Sequence, residues 1–271
     1  MNEKVYVAWR HPVNHSWHPV GYLYQKDQWY RFVYTKGALR SGFPLFPRMR
    51  EFVEYRSQEL FPVFHNRIIS NKRPEYKNYL RWLDISNKSL DPLKNLGLTE
   101  GLKATDRLEF FQCPTRRGNN EYRVEFVLHG LEYLPKQVVE RVNKLEEGER
   151  LYLIPDPQNE WDKDAMLLRT SDPVLAIGYC PRYLSRDFNK ILRENNIDVN
   201  KIEVSVKRVN IDAPLNLRLL CKIVAPWPKN FQPCSDEEFQ PIEKSFINRK
   251  NGISFPPLRR ESHLVQEVIN E

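Results

Sequence analysis

Between Val124 and Phe188 the sequence alternates strand patterns with short helical ones, and this stretch constrains the fold more than any other. Val124, Phe126 and Leu128 place apolar side chains at every second position, the period of a half-buried strand. Val138, Val142 and Leu145 then recur at helical spacing, between Pro135, which suits a helix start, and Gly148, which suits its end. Three strand-like runs follow, LYLI, AMLLR and VLAIGY, and a second helix is expected from about Ser185. Beyond it, Ile202, Val204, Val206 and Val209, then Leu217, Leu219 and Cys221, predict two closing strands. Upstream, Arg107 to Phe111 reads as an introductory strand that the Gly118-Asn119-Asn120 turn would fold into a hairpin over 107–129. Six or so short strands with two helices predict a small β-barrel.

The least ordinary part of this stretch is the loop Asp156-Pro157-Gln158-Asn159-Glu160-Trp161-Asp162-Lys163-Asp164-Ala165. Its four carboxylates invite a hard-cation reading, but an EF-hand started at Asp156 would need Gly and Glu where Trp161 and Leu167 stand. A catalytic reading lacks a partner, because no G-x-S-x-G or Cys/His constellation is present. The order of motifs around the loop is more telling. A strand ends in Gly130, Tyr133 follows, Gly148-Glu149 precedes a strand, and Asn159-Glu160-Trp161-Asp162-Lys163-Asp164-Ala165 leads to Gly178-Tyr179-Cys180-Pro181. In this series the segment resembles the HIRAN domain, a small β-rich module whose best-understood activity is binding single-stranded DNA, in particular its 3′ end.

That resemblance implies roles for particular residues. In DNA-binding members an aromatic stacks on a base and the Asp after it bonds the terminal 3′-hydroxyl or the base; the counterparts here are Trp161 and Asp162. Stacking on an aromatic is worth roughly 1–3 kcal/mol per base. The plainer alternatives stay open: a core tryptophan at the barrel mouth, and an aspartate that caps its own turn. Tyr133 matches a Tyr that contacts the nucleotide, although Glu132 stands before it where those members often carry Arg, and a carboxylate repels phosphate. Lys163, Arg182, Arg186, Lys207 and Arg208 are the candidate phosphate partners, each with an ordinary solvated-surface alternative.

The N-terminal third has a different character. KVYVAW (4–9), PVGYLYQ (19–25) and QWYRFVYT (28–35) read as strands, the last two joined as a hairpin at Lys26-Asp27. His11, His15 and His18 lie between the first two, but Pro12 and Pro19 argue against the helix that would pair them on a metal, so a loop with exposed histidines is expected. Leu60, Phe61, Phe64 and Ile68, then Tyr76, Tyr79, Leu80 and Leu83, give two helical patterns. With Phe32-Val33-Tyr34, Ser41-Gly42-Phe43-Pro44-Leu45 and Phe61-Pro62-Val63-Phe64-His65-Asn66-Arg67, this layout resembles the small N-terminal subdomain of HipA-type toxin kinases, a docking and regulatory piece. The usual Leu-Leu-Pro-Glu is replaced by Ile68-Ile69-Ser70-Asn71. A kinase itself is not expected, since no G-x-x-x-x-G-K-[ST] cradle occurs among the 10 glycines.

The fold class expected is α+β. A docking domain with a small sheet and two helices covers 1–90, a linker 91–105, a HIRAN-like six-stranded barrel with two helices 106–228, and an extended Pro-containing tail 229–271. The net charge of +7 is compatible with a polyanionic partner. It is concentrated in residues 1–100, also +7, whereas 101–230 carry +2 and 231–271 carry −2. Four scattered cysteines without C-x-x-C point to a reducing compartment rather than a disulfide frame or zinc site. With no 18-residue apolar run and no apolar core to the N-terminus, neither a membrane span nor a signal peptide is expected. The reading is a bacterial cytoplasmic adaptor without catalytic residues, metal or cofactor. It would bind single-stranded DNA or a 3′ end and meet a helicase, nuclease or kinase in trans. The alternative is an antitoxin-like regulatory subunit that binds protein only.

Overall fold

The computed structural model describes residues 4–40, 42–85, 91–101, 107–116, 118, 120–193 and 201–242. Most of the tail expected over 229–271, from 243 on, lies outside the described residues, as do 102–105 of the expected linker. The fold is α+β, with two antiparallel sheets.

The first sheet is built from β1 (Val5–Arg10), β2 (Trp17–Lys26), β3 (Trp29–Tyr34), β4 (Tyr55–Ser57) and β5 (Leu108–Gln112), in the order β4-β3-β2-β1-β5. Asp27 and Gln28 turn the β2–β3 hairpin with positive φ of 53° and 65°, the twist that suits a two-residue loop. Alternation along β1 sends Val5 and Val7 to one face and Tyr6 and Ala8 to the other, and all four are buried. The first face packs on α1 (Pro62–His65), through Phe64, and on α3 (Pro92–Thr99), through Leu93 and Leu96; α2 (Tyr76–Trp82) lies between them in sequence. The second face carries an aromatic cluster of Tyr6, Trp17, Tyr22, Phe111 and Phe239.

Two expectations change here. The polar stretch expected as a linker holds α3: Asp91 caps it by accepting from the Leu93 amide at 3.1 Å, and Pro92 sits where its missing N–H costs nothing. The strand at 108–112 does not form a hairpin with 121–127. It pairs with β1, Val7 opposite Phe110, because its two buried phenylalanines serve both faces of the first sheet.

The second sheet holds β6 (Glu121–Val127), β7 (Arg150–Pro155), β8 (Met166–Arg169), β9 (Ala176–Tyr179), β10 (Glu203–Val209) and β11 (Leu219–Pro226), in the order β6-β11-β10-β7-β8-β9. It curls into a partly closed barrel, and its two edge strands meet just beyond β6, where His129 and Tyr179 exchange backbone hydrogen bonds of 2.9 Å each. Gly178 permits that approach. Its φ is +145°, and a Cβ there would lie 2.5 Å from the His129 carbonyl oxygen. Phe126, Leu128, Leu151, Leu168, Val206 and Phe188 fill the interior, with α4 (Lys136–Val142) and α5 (Arg182–Arg193) covering it.

The two units share contacts that fix their geometry. Tyr183 of α5 stacks on Phe111 of the first sheet, ring centres 4.5 Å apart and planes 10° apart. The segment after β11 runs back over both units. Phe239 joins the aromatic cluster, and Glu238 pairs with Arg40 at 2.6 Å and with Arg186 at 3.7 Å.

Candidate nucleic-acid interface

The loop between β7 and β8 is held by its own side chains. Asn159 Oδ1 accepts from the amides of Trp161 and Asp162, both at 3.1 Å, and Asp162 Oδ1 accepts from the Asp164 amide at 3.0 Å. Tyr179 donates its hydroxyl to Asp156 Oδ2 at 2.9 Å, and Asn189 of α5 donates to the Asp164 carbonyl at 2.8 Å. The loop is therefore fastened to β9 and α5. This scaffold leaves Trp161 51% exposed, so it is not a core tryptophan. Its indole meets the His15 ring edge-on at 4.6 Å. Asp162 does cap its turn through Oδ1. Burial, the largest influence, pushes its carboxyl above the ordinary aspartate value against the pull of Arg182.

Tyr133 ends a 3-10 turn, Leu131–Tyr133, that starts from Gly130 at φ +84°. Leu131 anchors the turn in the barrel while Tyr133 stands 84% exposed. The His129–Tyr179 bridge connects this turn to β9, and the Tyr179 hydroxyl connects β9 to the tryptophan loop. Tyr133, Trp161, Asp162 and Arg182 thus belong to one end of the barrel, joined through His129, Tyr179 and Asp156.

The candidate cations divide. Lys163 is exposed on the loop. Arg182 donates to the His15 carbonyl at 2.6 Å. Arg186 lies among three carboxylates, 3.7 Å from Asp164, 3.6 Å from Asp236 and 3.7 Å from Glu238. Lys207 lies 3.0 Å from Asp84 and 3.4 Å from Glu125, and Arg208 donates to Asp84 at 2.7 Å and to the Arg81 carbonyl at 2.6 Å. With Asn210, which donates to the Trp82 carbonyl at 2.9 Å, Lys207 and Arg208 form a clamp between β10 and the end of α2. Arg186, Lys207 and Arg208 already have their negative charge inside the molecule. The histidine loop differs from expectation too: His18 and His15 are half-buried, and His18 lies 3.6 Å from Glu238.

Sequence reading missed a charged cluster between the units. His129 Nε2 lies 3.1 Å from Glu100 Oε2, and Glu109 completes a group whose ligand atoms all fall within 4.8 Å. Tyr183 donates to Glu100 at 3.0 Å, and Trp17 to Glu109 at 2.8 Å. Burial works against a charged ring at His129, yet Glu100 and then Glu109 raise its pKa to about 9, so the imidazolium itself supplies the cation here. Burial pushes the Glu109 carboxyl up as well. No local sequence pattern marks a triad drawn from three separate elements.

With this geometry in view, residues 122–228 match the HIRAN domain family and form a HIRAN domain. Two solved structures are similar to the chain. The HIRAN domain of human HLTF is 19% identical, covering 51% of this chain and 93% of that one, with a TM-score of 0.28. A protein from Lactobacillus plantarum is 17% identical, covering 39% of this chain and 96% of that one, with a TM-score of 0.31. No curated protein matches the chain. Among the described residues no helix is long and apolar enough to cross a membrane.

Proposed function

We propose that this protein is a nucleic-acid-binding adaptor whose HIRAN domain holds single-stranded DNA or a DNA 3′ end. The observation that carries the reading is Trp161, a half-exposed indole on a loop already ordered by Asn159, Asp162 and Tyr179. A large aromatic kept partly in water by a rigid turn contributes little to the core and offers a face to a base. Tyr133 supplies a second exposed ring at the same end. Asp162 brings an oxygen for a terminal hydroxyl, and Arg182 and Lys163 bring positive charge. The N-terminal unit, with its HipA-like layout, would meet a helicase, nuclease or kinase acting in trans. The protein itself performs no catalysis in this reading.

A specific observation favours the second reading, a regulatory subunit that binds protein only. Arg186, Lys207 and Arg208 are neutralised by carboxylates, and Glu132 stands beside Tyr133. Binding of matched single-stranded, blunt, 3′-overhang and 3′-phosphate oligonucleotides separates the two. Salt-dependent retention that weakens in Trp161→Ala supports the adaptor. A stoichiometric protein complex with no DNA affinity supports the alternative.

A further inference from the structure

Apart from Lys163 on the loop itself, the cations near the tryptophan loop that pair with no carboxylate among the described residues come together at one place. β1 and β5 pair with Trp9 opposite Leu108, so the next residues, Arg10 and Arg107, stand across from each other; the Arg10 amide donates to the Arg107 carbonyl at 3.0 Å. Like charges directly opposite on a sheet are destabilising, so this pair calls for an anion. Among the described residues neither side chain pairs with a carboxylate. Arg107 Nη1 lies 3.5 Å from His15 Nδ1, and Arg182 reaches the His15 carbonyl from the HIRAN side at 2.6 Å. After burial, the charges of Arg10, Arg107 and Arg182 are what hold the His15 ring below its ordinary pKa. Asp162 is the carboxylate that faces Arg182, while Glu109, also near it, is pushed by burial toward its neutral form.

The loop that carries His15 is built to stay where it is. His11 Nδ1 accepts from the amides of Val13 and Asn14 at 3.1 and 3.2 Å, and Asn14 Oδ1 accepts from the Ser16 amide at 3.0 Å. His15 takes a left-handed φ of 54°, a conformation that non-glycine residues hold only where their surroundings fix it. Its ring then lies 4.6 Å from Trp161. A base stacked on that indole brings its sugar-phosphate within the neighbourhood of three guanidinium groups.

We propose that Arg10 and Arg107 of the N-terminal unit, with Arg182 of the HIRAN domain, form an anion-binding corner across the two units that takes backbone phosphates of the strand stacked on Trp161. The corner rests on the nucleic-acid reading above and makes the N-terminal unit part of the binding site rather than only a docking piece. Guanidinium groups suit this task because they donate in pairs to phosphate oxygens.

The test compares the full chain with Arg10→Gln/Arg107→Gln and a charge-matched Lys72→Gln/Lys77→Gln control, binding one fluorescent single strand between about 50 and 200 mM salt. Loss of two phosphate contacts makes the slope of log K against log salt shallower by about 1.4, at about 0.7 per contact on a single strand, while the control keeps the parent slope. Arg10 is exposed, so the single Arg10→Gln, with half that change, serves if the double variant unfolds. A parent slope in the arginine variant overturns the corner and leaves the stacking reading intact. Should the chain not bind DNA, calorimetry with tripolyphosphate decides. Binding abolished by Arg10→Gln/Arg107→Gln keeps a phosphate site and removes the nucleic-acid reading; absence of any binding overturns both.

Discussion

The His129 triad makes the junction between the two units a pH-dependent contact, and its size can be worked out. Free imidazole titrates near 6.5, whereas His129 is held protonated to about 9 by Glu100 at 3.1 Å and by Glu109 beyond it, against the cost of burial. A pKa raised on folding gives stability that is fully present below 6.5 and is lost as pH rises through about 9. At about 1.4 kcal/mol per pH unit the ceiling is near 3 kcal/mol. The ring is 32% exposed, and screening brings the expectation to roughly 1–2 kcal/mol. Urea unfolding measured from pH 6 to 9.5 checks it. The parent should lose about that amount between pH 6.5 and 9. His129→Gln should start about 2–3 kcal/mol lower, because Glu100 and Glu109 remain buried without their cation, and should run nearly flat once pH has passed the Asp187 pKa of about 7. A parent protein with constant stability across this window, or a His129→Gln variant that keeps the slope above the Asp187 pKa, would show that His129 is not held protonated by Glu100 and Glu109.

Other groups respond in their own windows. Asp187 on α5 is buried beside the Tyr122 hydroxyl, and burial raises its pKa to about 7, so its contribution is complete below pH 3.8 and is lost as pH rises through 7. Asp187→Asn is therefore expected to stabilise the protein at pH 8 by roughly 2–4 kcal/mol, seen as a higher melting temperature, with little effect at pH 4. Glu238 behaves in the opposite sense: the His18 ring 3.6 Å away, and next Arg40 and Arg186, bring its pKa to about 2, giving stability present above 4.5 and lost as pH falls through 2. Glu238→Gln should cost roughly 2 kcal/mol and speed proteolytic cleavage near residues 233–242, where the final segment would loosen its hold on both units.

Much of the barrel was legible because its strands carry their period locally. Val124, Phe126 and Leu128 and the later apolar runs point to one interior, and the Asn159–Ala165 loop bears its own turn residues. Strand allegiance was not legible. Phe110 and Phe111 are apolar on both faces, and nothing adjacent says that their partner lies a hundred residues earlier, in β1. Helix α3 carried a usable signal, Asp91-Pro92, hidden in a polar stretch with few apolar residues. Of the site, Trp161 and Asp162 were singled out by the resemblance to the HIRAN family. The cations could not be sorted, since sequence gives a charge but not its partner. Lys207 and Arg208 find Asp84, whereas Arg10 and Arg107 find no carboxylate among the described residues. The proposed anion-binding corner depends on that difference.

In the proposed mode, one end of the HIRAN domain binds a nucleic-acid strand by stacking on Trp161. The most direct test is the affinity of the full chain and of Trp161→Ala for a single strand with a free 3′ end, at low salt, with unfolding measured beside it. Stacking on the indole predicts a loss of about 5- to 150-fold, the equivalent of 1–3 kcal/mol, with nearly unchanged stability because the indole is half in solvent. Parent-level binding by Trp161→Ala, or no binding by the parent, would contradict it.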